Sequence, residues 1–241
     1  MAGTNEALLL ITFVFLGTIL LFCLKMGRVY VFAFSVSCII VSNITVVKQV
    51  EIFGLSTSLG VVIYSLVYLA TDICSEYGKK NDAYRVVLAN IGAQIAFFIY
   101  IYLSIQTPAH ADLDTASPLI SQLFTTTPRI TVAAIIAAIG AFVDVWIYEW
   151  LKRQLDQREL KGVVAVLIRN NLSTITGQAV NTALFFFIAF YGVFDGLLQV
   201  IGTALIVKVI IAFLDSPFLL LADYLLPSEW AGRESWRKGG R

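Results

Sequence analysis

Long apolar runs constrain this chain more than any other feature of its sequence. A helix needs about 20 apolar residues to cross the hydrocarbon layer of a membrane, and seven segments approach or exceed that length. Only 14% of the residues are charged, against about 25% in soluble domains. We predict an all-α integral membrane protein, a helical bundle of six to seven transmembrane helices. The segments are residues 7–24, 29–47, 55–73, 86–105, 130–151, 163–191 and 197–226.

Positive charge sets the orientation of these segments. With seven crossings, which we favour, thirteen of the seventeen Lys and Arg residues fall on one side of the membrane. Cytoplasmic loops carry such an excess, so we predict the N-terminus outside and the C-terminus inside. The chain is then a single transmembrane domain, 1–241, with an external loop at 106–129 and a cytoplasmic basic tail at 227–241. A six-crossing alternative would make a weaker segment, above all the third, re-entrant.

Charge and missing motifs exclude several classes of function. The net charge of +1 does not suggest nucleic acid as a partner. The sequence has no P-loop, no Gly-rich dinucleotide turn, no His-Glu-x-x-His and no Gly-x-Ser-x-Gly. Its single histidine, His110, lies in a loop, and its three cysteines lack metal-ligand spacing. We expect no enzyme, no cofactor and no metal, and a location in the cytoplasmic (inner) cell membrane.

Four acidic and aromatic residues of the third segment form the first polar group. Asp72 and Glu76 are four residues apart and share a helix face, and Tyr68 and Tyr64 extend that face backwards. Ionisable side chains cost about 2.5–3.5 kcal/mol each at mid-helix, so they normally face a bundle interior or a cavity. Two carboxylates beneath two aromatic rings could hold a flat ring that donates hydrogen bonds. The alternative is a helix end with interfacial tyrosines and solvated acids.

A polar stripe on the sixth segment is the second group. Hydroxyls and glycine on such a stripe are explained by helix packing. A carboxamide needs up to four partners, so several of them favour the wall of a polar cavity. The stripe consists of Asn170, Ser173, Thr174, Gly177, Gln178 and Asn181.

Two further pairs place ionisable groups within apolar segments. Lys208 and Asp215 lie near one face of the last helix, where Lys208 needs a carboxylate, a carbonyl or an anionic ligand; a static ion pair is the alternative. Asp215, followed by Ser216 and Pro217, predicts a helix break. Asp144 accompanies Tyr148 on the fifth segment, where snorkelling to the inner interface is the alternative to a functional role.

Several of these motifs together resemble the queuosine precursor transporter family, whose members were formerly described as vitamin uptake transporters. The similarity covers about residues 29–226, and its most specific part is the block from Asp72 to Lys80. One departure stands at Asn181-Thr182, where the family usually has Asp-Thr. The matching motifs are Ser42-Asn43-Ile44 with Lys48, Thr71-Asp72-Ile73, Ser75-Glu76-Tyr77-Gly78-Lys79-Lys80, Asp144 ahead of Lys152, Arg169 with Ser173 and Gln178, and Lys208 with Asp215-Ser216-Pro217.

The resemblance implies uptake of 7-deazaguanine bases such as preQ0 and preQ1 by alternating access. Glu76 or Asp72 would then bind the N–H edge of the base. The carboxamides of Asn43, Gln94, Gln178 and Asn181 would orient the ring, and Tyr64, Tyr68 and Phe185 would stack on it. Asp144, Arg169, Lys208 and Asp215 would pair charges or couple transport. The expected partners are a purine-like small molecule and the lipid bilayer, and a homodimer is left open.

Two other functions are compatible with the sequence. One is a substrate-capture subunit of a multi-subunit vitamin or nucleobase importer, since the chain has no ATPase domain. The other is a non-transporting membrane scaffold. A scaffold would keep its polar residues paired with each other and would hold no cavity as large as a nucleobase.

Overall fold

The computed structural model describes residues 3–79, 81–110, 112–124, 127–192, 196–227 and 230. It confirms an all-α membrane bundle, since six helical stretches are long and apolar enough to cross a membrane, with Arg129–Gln157 counted as one. The elements are α1 (Thr4–Met26), α2 (Arg28–Thr45), β1 (Gln49–Ile52), β2 (Leu55–Ser58), α3 (Gly60–Tyr77), α4 (Asp82–Gln106), α5 (Ser117–Phe124), α6 (Thr127–Ala137), α7 (Ile139–Gln157), α8 (Val163–Phe190) and α9 (Leu197–Leu225).

Helix α3 is the centre of the bundle. All of its 18 residues except Ile63, Tyr64 and Ser75 are buried, because it packs against α1, α2, α4, α7, α8 and α9. Its length of about 27 Å, at 1.5 Å per residue, nearly spans the hydrocarbon layer. This helix is the third predicted segment, and its neighbours shield its carboxylates from lipid. The total of seven crossings stays a prediction.

A two-stranded hairpin precedes α3 and corrects the predicted start of the third segment. Strand β2 occupies residues 55–58, so the helix begins at Gly60 and not at residue 55. Ile52 pairs with Leu55 across a two-residue turn, in which Phe53 and Gly54 have φ values of 54° and 72°. Two positive φ angles are typical of the tight hairpin turn whose twist matches that of paired strands.

The hairpin is fastened to helices α1 and α9. The Asn5 side chain donates to the Glu51 carbonyl at 2.9 Å, and the Phe53 amide donates to Glu6 at 2.7 Å. From α9, the Thr203 hydroxyl donates to the Ser56 carbonyl at 3.3 Å. The hairpin is therefore a fixed part of one end of the bundle.

The predicted helix break at Pro217 is wrong, because α9 continues through it to Leu225. A proline removes one helical hydrogen bond, but neighbouring helices can hold such a helix together. Here the ring of Phe218 meets Phe13 of α1 edge to face, with centroids 5.7 Å apart. A Cβ atom on Gly17 would lie only 2.6 Å from that ring, so α1 and α9 pack closely at the proline.

Helices α7 and α8 make an equally close approach through two glycines. A Cβ atom on Gly140 would lie 2.5 Å from the Gly177 carbonyl oxygen, and one on Gly177 would lie 2.5 Å from the Asp144 Cβ. The small residues Ala137 and Ala141 on the same stretch are buried, as expected for a close-packing face.

Residues 106–129, predicted as an external loop, are partly helical. They contain α5 and the beginning of α6, and the Asp114 carboxylate accepts hydrogen bonds from the amides of Ala116 and Ser117 just before and at the start of α5. The side of the membrane on which this loop lies stays a prediction. Lys80 of the family motif and all but residues 227 and 230 of the predicted basic tail lie outside the described residues.

Candidate substrate cavity

A cavity of about 570 Å³ lies at the end of the bundle that carries the hairpin. Its walls come from α2, the hairpin, α3, α4, α6, α8 and α9. Pockets for small molecules typically measure about 300–1,000 Å³. A single purine-like base is therefore well within its capacity.

The structure brings six of the predicted site residues to this cavity and leaves the others outside its lining. The six come from five different helices, which shows that the tertiary fold gathers them. They are Asn43, Tyr64, Gln94, Asn181, Phe185 and Lys208. The predicted substrate ligands that do not line the cavity are Tyr68, Asp72, Glu76 and Gln178.

Asn181 and Lys208 form a hydrogen-bonded polar group in the lining. The Asn181 amide donates to the Tyr64 hydroxyl and to the Ala137 carbonyl, both at 2.8 Å. The Lys208 ammonium donates to Asn181 Oδ1 at 3.2 Å and to the Thr182 hydroxyl at 2.8 Å. It also lies 5.3 Å from the centre of the Tyr64 ring, a cation–π distance. A lysine held by neutral oxygens can still attract an acceptor on a ligand.

The static ion pair considered between Lys208 and Asp215 is not formed. Seven residues along a helix correspond to about 10 Å of rise, and each side chain binds a nearer partner on α8. Asp215 accepts from the Asn170 amide at 2.9 Å, while Lys208 binds Asn181 and Thr182.

Carboxamides and aromatic rings supply much of the remaining wall. Asn43 on α2 and Gln94 on α4 line the cavity, and within the described part of the chain neither side chain has a hydrogen-bond partner. From α8 come Phe185, Phe186 and Phe190, whose ring centres are 5.5–5.9 Å apart. Free amide groups beside flat rings suit a planar ligand with both donors and acceptors.

Away from the cavity, further polar contacts join α3 to α8 at successive turns. The Thr174 hydroxyl donates to Asp72 at 3.0 Å, and Arg169 donates to Glu76 at 2.8 Å. The numbers rise along α3 and fall along α8, so the two helices run antiparallel. Asp72 and Glu76 are 0% and 5% exposed, which excludes the alternative of solvated acids at a helix end.

The contacts between α3 and α8 that lie farthest from the cavity form an ionic cluster around Glu76. The Tyr148 hydroxyl donates to the Glu76 carboxylate at 2.8 Å, and the Lys152 ammonium lies 3.8 Å from it. Lys152 also donates to the Glu76 carbonyl at 2.9 Å, and Arg169 lies 3.9 Å from Asp156. These contacts tie α3, α7 and α8 together below the cavity.

Asp144 does not snorkel to an interface. Its side chain is 0% exposed, and neither carboxyl oxygen has a hydrogen-bond partner among the described residues. The close approach of α7 to Gly177 places it within the bundle. The sequence did not predict the burial of Asp144, because Lys152 follows two turns later and suggested that the inner interface was near.

Several lining residues were not predicted from the sequence. Those of the hairpin, Gln49, Ser56 and Ser58, became wall residues because the chain turns back at Phe53 and Gly54. The alternation of polar residues after residue 48 is the sequence feature that could have predicted these strands. Phe186 and Phe190 follow Phe185 on α8 and were not distinguished from lipid-facing phenylalanines.

Lys208 is the only Lys, Arg, His, Asp or Glu among the lining residues in the described part of the chain. No group of three or more His, Cys, Asp or Glu residues in that part could hold a metal ion. The cavity therefore offers one amino group, several amides and hydroxyls, and aromatic faces.

Comparison with known proteins points to membrane transport. The family model described as "Putative vitamin uptake transporter" matches residues 58–222. A Bacillus subtilis (strain 168) protein named "Probable queuosine precursor transporter" is 25% identical over 215 residues, covering 88% of this chain and 91% of the relative. No solved structure matches.

Proposed function

Because the chain belongs to the family described as "Putative vitamin uptake transporter", we propose that it carries a queuosine precursor, a 7-deazaguanine base, across the cell membrane by alternating access. The family is one of transporters, and the six long apolar helices make this a multi-pass membrane protein. The substrate and the mechanism are the proposed part. The cavity beside Asn181 and Lys208 is the proposed binding site.

The observation that carries this proposal is the pair of unpartnered carboxamides at Asn43 and Gln94 in a cavity with three phenylalanines. A guanine-like base presents N–H donors beside a carbonyl acceptor on one edge. A carboxamide serves as donor or acceptor, and an aromatic face stacks on the ring with about 1–3 kcal/mol per base.

A consistent arrangement places the carbonyl of the base towards Lys208 and its N–H edge towards Gln94 and Asn43. Phe185 then stacks on the ring. This differs from the expectation that Glu76 or Asp72 binds the N–H edge, because the Glu76 oxygens are engaged by Arg169 and Tyr148 and neither acid lines the cavity.

The asymmetry of the bundle supports alternating access. In the predicted orientation the hairpin end faces outward, and the cluster of Glu76, Arg169, Tyr148 and Lys152 closes the inward end. A cavity reached from one side and sealed by ionic contacts on the other is one of the two states that a carrier needs. The inward-facing state would require these contacts to separate.

The test is uptake of labelled precursor by cells that cannot synthesise it. Cells that express the chain should accumulate the base and restore the modified tRNA nucleoside, while cells that express Asn181→Leu at equal levels should not. Thr176→Val is a suitable control because Thr176 is partly exposed and donates only to the Leu172 carbonyl of its own helix. A well-expressed wild type that restores no uptake would refute the proposal.

The two alternative functions predict other results. A substrate-capture subunit would bind the base but would not transport it when the purified chain alone is placed in liposomes. A scaffold would hold no cavity of nucleobase size, whereas the cavity found here measures about 570 Å³.

A further inference from the structure

Three buried carboxyl groups have no cationic partner. Asp72, Asp144 and Asp215 are each 0% exposed, and in the described residues none of them lies within 4.0 Å of a Lys or Arg nitrogen. The two buried cations are engaged elsewhere, since Arg169 pairs with Glu76 and Lys208 with neutral oxygens. These acids therefore differ from Glu76, which has three cationic or hydroxyl partners.

Asp144 is the most isolated of the three. Asp72 accepts from Thr174, and Asp215 accepts from Asn170, but both oxygens of Asp144 lack a hydrogen-bond partner. The cost of an unpaired carboxylate in a medium of low dielectric is so high that the group becomes neutral instead. In this conformation Asp144 therefore holds a proton.

The two hydroxyls beside Asp144 explain where that proton is directed. Ser173 and Thr174 lie near the Asp144 carboxyl, but neither hydroxyl forms a hydrogen bond with it in this conformation. Each has a single hydrogen, which Ser173 gives to the Asn170 carbonyl and Thr174 gives to Asp72. Both hydroxyls can then act towards Asp144 only as acceptors. A protonated Asp144 would supply a donor to these hydroxyls, and Thr174 already donates to Asp72.

Two unpartnered polar side chains lie between this group and the cavity. The Tyr68 hydroxyl and both amide atoms of Gln178 have no hydrogen-bond partner in the described part of the chain, and the two residues are 1% and 2% exposed. Tyr68 is one helical turn from Tyr64, and Gln178 is three residues from Asn181. They form a polar path from the cavity lining to the carboxyls.

The titratable groups that face Asp144 come from two other helices. Tyr68 and Asp72 on α3 and Asp215 on α9 interact electrostatically with it. All three are acidic groups, so none of them supplies a positive charge that would stabilise an ionised Asp144. On its own helix, Tyr148 donates to Glu76 and not to Asp144.

The charged groups of the remaining neighbouring helices are engaged with other partners. Arg169 of α8 binds Glu76. On α4, Asp82 pairs with Arg28 and Arg85. Arg129 of α6 donates to the carbonyls of residues 188 and 191. None of the cations among these described contacts is directed at Asp144.

We propose that Asp144, which lies near Thr174 and Asp72, is the proton-binding site that couples uptake of the base to proton entry, an inference that rests on the proposed transport function. In the outward-facing state, a proton from outside forms an O–H bond with an Asp144 carboxylate oxygen. In the inward-facing state, the same bond breaks and the proton enters the cytoplasm. Each neutral base is then accompanied by one proton and one positive charge.

The test uses the purified full chain in liposomes and the neutral base 7-cyano-7-deazaguanine as tracer, because a pH gradient does not itself redistribute a neutral compound. One assay measures exchange of labelled external base for unlabelled internal base without any ion gradient. The second measures accumulation driven by an inward proton gradient, by an inward sodium gradient, or by neither.

The wild type should exchange the base and should accumulate it only with the proton gradient. Asp144→Asn, which imitates the protonated acid, should keep exchange and lose gradient-driven accumulation. Glu149→Gln removes a partly exposed carboxylate from the same helix and should retain both activities. Absence of exchange by the wild type would refute the transport function itself. Exchange with accumulation driven by sodium, or accumulation by Asp144→Asn, would refute only the proton site.

A measurement on the wild type remains decisive if Asp144→Asn does not fold. A pH indicator trapped inside the liposomes should report acidification when 7-cyano-7-deazaguanine is added outside under an imposed inside-negative potential. No acidification during measurable uptake of the base would overturn the proposal. Asp72→Asn should weaken the same signal, because Thr174 would lose its carboxyl acceptor.

Discussion

The guanidinium of Arg169 lies 2.8 Å from the Glu76 carboxylate, and the two side chains are only 6% and 3% exposed. The contact joins α8 to the central helix α3 at the end of the bundle opposite the hairpin. Tyr148 and Lys152 of α7 bind the same carboxylate. Three helices are therefore held together at this point by a single acidic side chain, and we expect it to control stability and closure more than substrate affinity.

Removing the arginine from this pair should destabilise the protein strongly. Arg169→Met leaves Glu76 buried with only the partly exposed Lys152 as a counter-charge, and breaking a buried pair typically costs about 3–5 kcal/mol. The second substitution, Glu76→Gln, should restore part of that loss, because no unpaired charge then remains. Thermal unfolding of the purified wild type, both single variants and the double variant measures the coupling.

Arg153→Met is the control for this cycle, since Arg153 lies on α7 and forms no ion pair with another described residue. Its unfolding temperature should stay close to that of the wild type. Additive effects of Arg169→Met and Glu76→Gln would contradict the coupling. A large loss of substrate affinity in Glu76→Gln without loss of stability would show that Glu76 binds the substrate.

The sequence predicted helix faces well, because a face depends only on spacing along one helix. Tyr64, Tyr68, Asp72 and Glu76 recur every four residues, and the α8 partners of Tyr64, Asp72 and Glu76 follow in reverse order. Spacing could not show that Tyr64 reaches the cavity while Asp72 and Glu76 remain below it. That division depends on where α8 and α9 pack against α3, which is a tertiary property.

Pairings between side chains were less predictable for the same reason. Lys208 and Asp215 share a helix face, yet each finds a shorter contact on α8. The hairpin was missed because residues 55–58 were grouped with the apolar segment that follows them, and the turn residues Phe53 and Gly54 lie before that segment. A Phe-Gly pair is a weaker turn signal than Asn-Gly.

A negative charge at position 181 should change which base the protein prefers. Asn181→Asp would place a carboxylate about where Oδ1 now lies, 3.2 Å from the Lys208 ammonium, and would neutralise the cation of the cavity. The cationic aminomethyl base should then gain about tenfold in affinity relative to the neutral nitrile base, or about 1.4 kcal/mol. Competition binding with the purified protein measures this ratio.

Asn171→Asp makes the same chemical change on the same helix, but Asn171 binds Ser216 and does not line the cavity. Its ratio should equal that of the wild type. If Asn181→Asp binds both bases with an unaltered ratio, the substrate does not lie beside Lys208.

An aromatic ring at position 185 should contribute to binding by stacking. Phe185 lines the cavity, and loss of one stacking ring costs about 1–3 kcal/mol per base. Phe185→Ala should therefore weaken binding by roughly 5- to 150-fold, and Phe185→Tyr should retain it. Phe187→Ala is the matched control, because Phe187 is 45% exposed two residues later. Equal losses in both alanine variants would indicate a general effect on α8.

The glycine contact between α7 and α8 should not tolerate a methyl group. In Gly177→Ala the new Cβ would lie 2.5 Å from the Asp144 Cβ and 2.7 Å from the Gly140 carbonyl oxygen. Such overpacking typically costs about 1–3 kcal/mol. Gly92→Ala on α4 meets no atom within 4 Å and should stabilise the protein by about 0.5–1 kcal/mol through helix propensity. Thermal unfolding compares the two, and an unaltered Gly177→Ala would mean that the helices are not this close.

Reactivity of introduced cysteines can decide whether α3 crosses the membrane. Positions 5 and 113 are separated by α1, α2, α3 and α4, so they lie on the same side only if α3 crosses. After replacement of the three native cysteines, Asn5→Cys and Leu113→Cys should both react with a membrane-impermeant maleimide on intact cells. Gln157→Cys, beyond α6 and α7, should react only after permeabilisation, because the basic side of the bundle faces inward. A re-entrant α3 would instead place positions 5 and 113 on opposite sides, and labelling of Gln157→Cys alone on intact cells would reverse the predicted orientation.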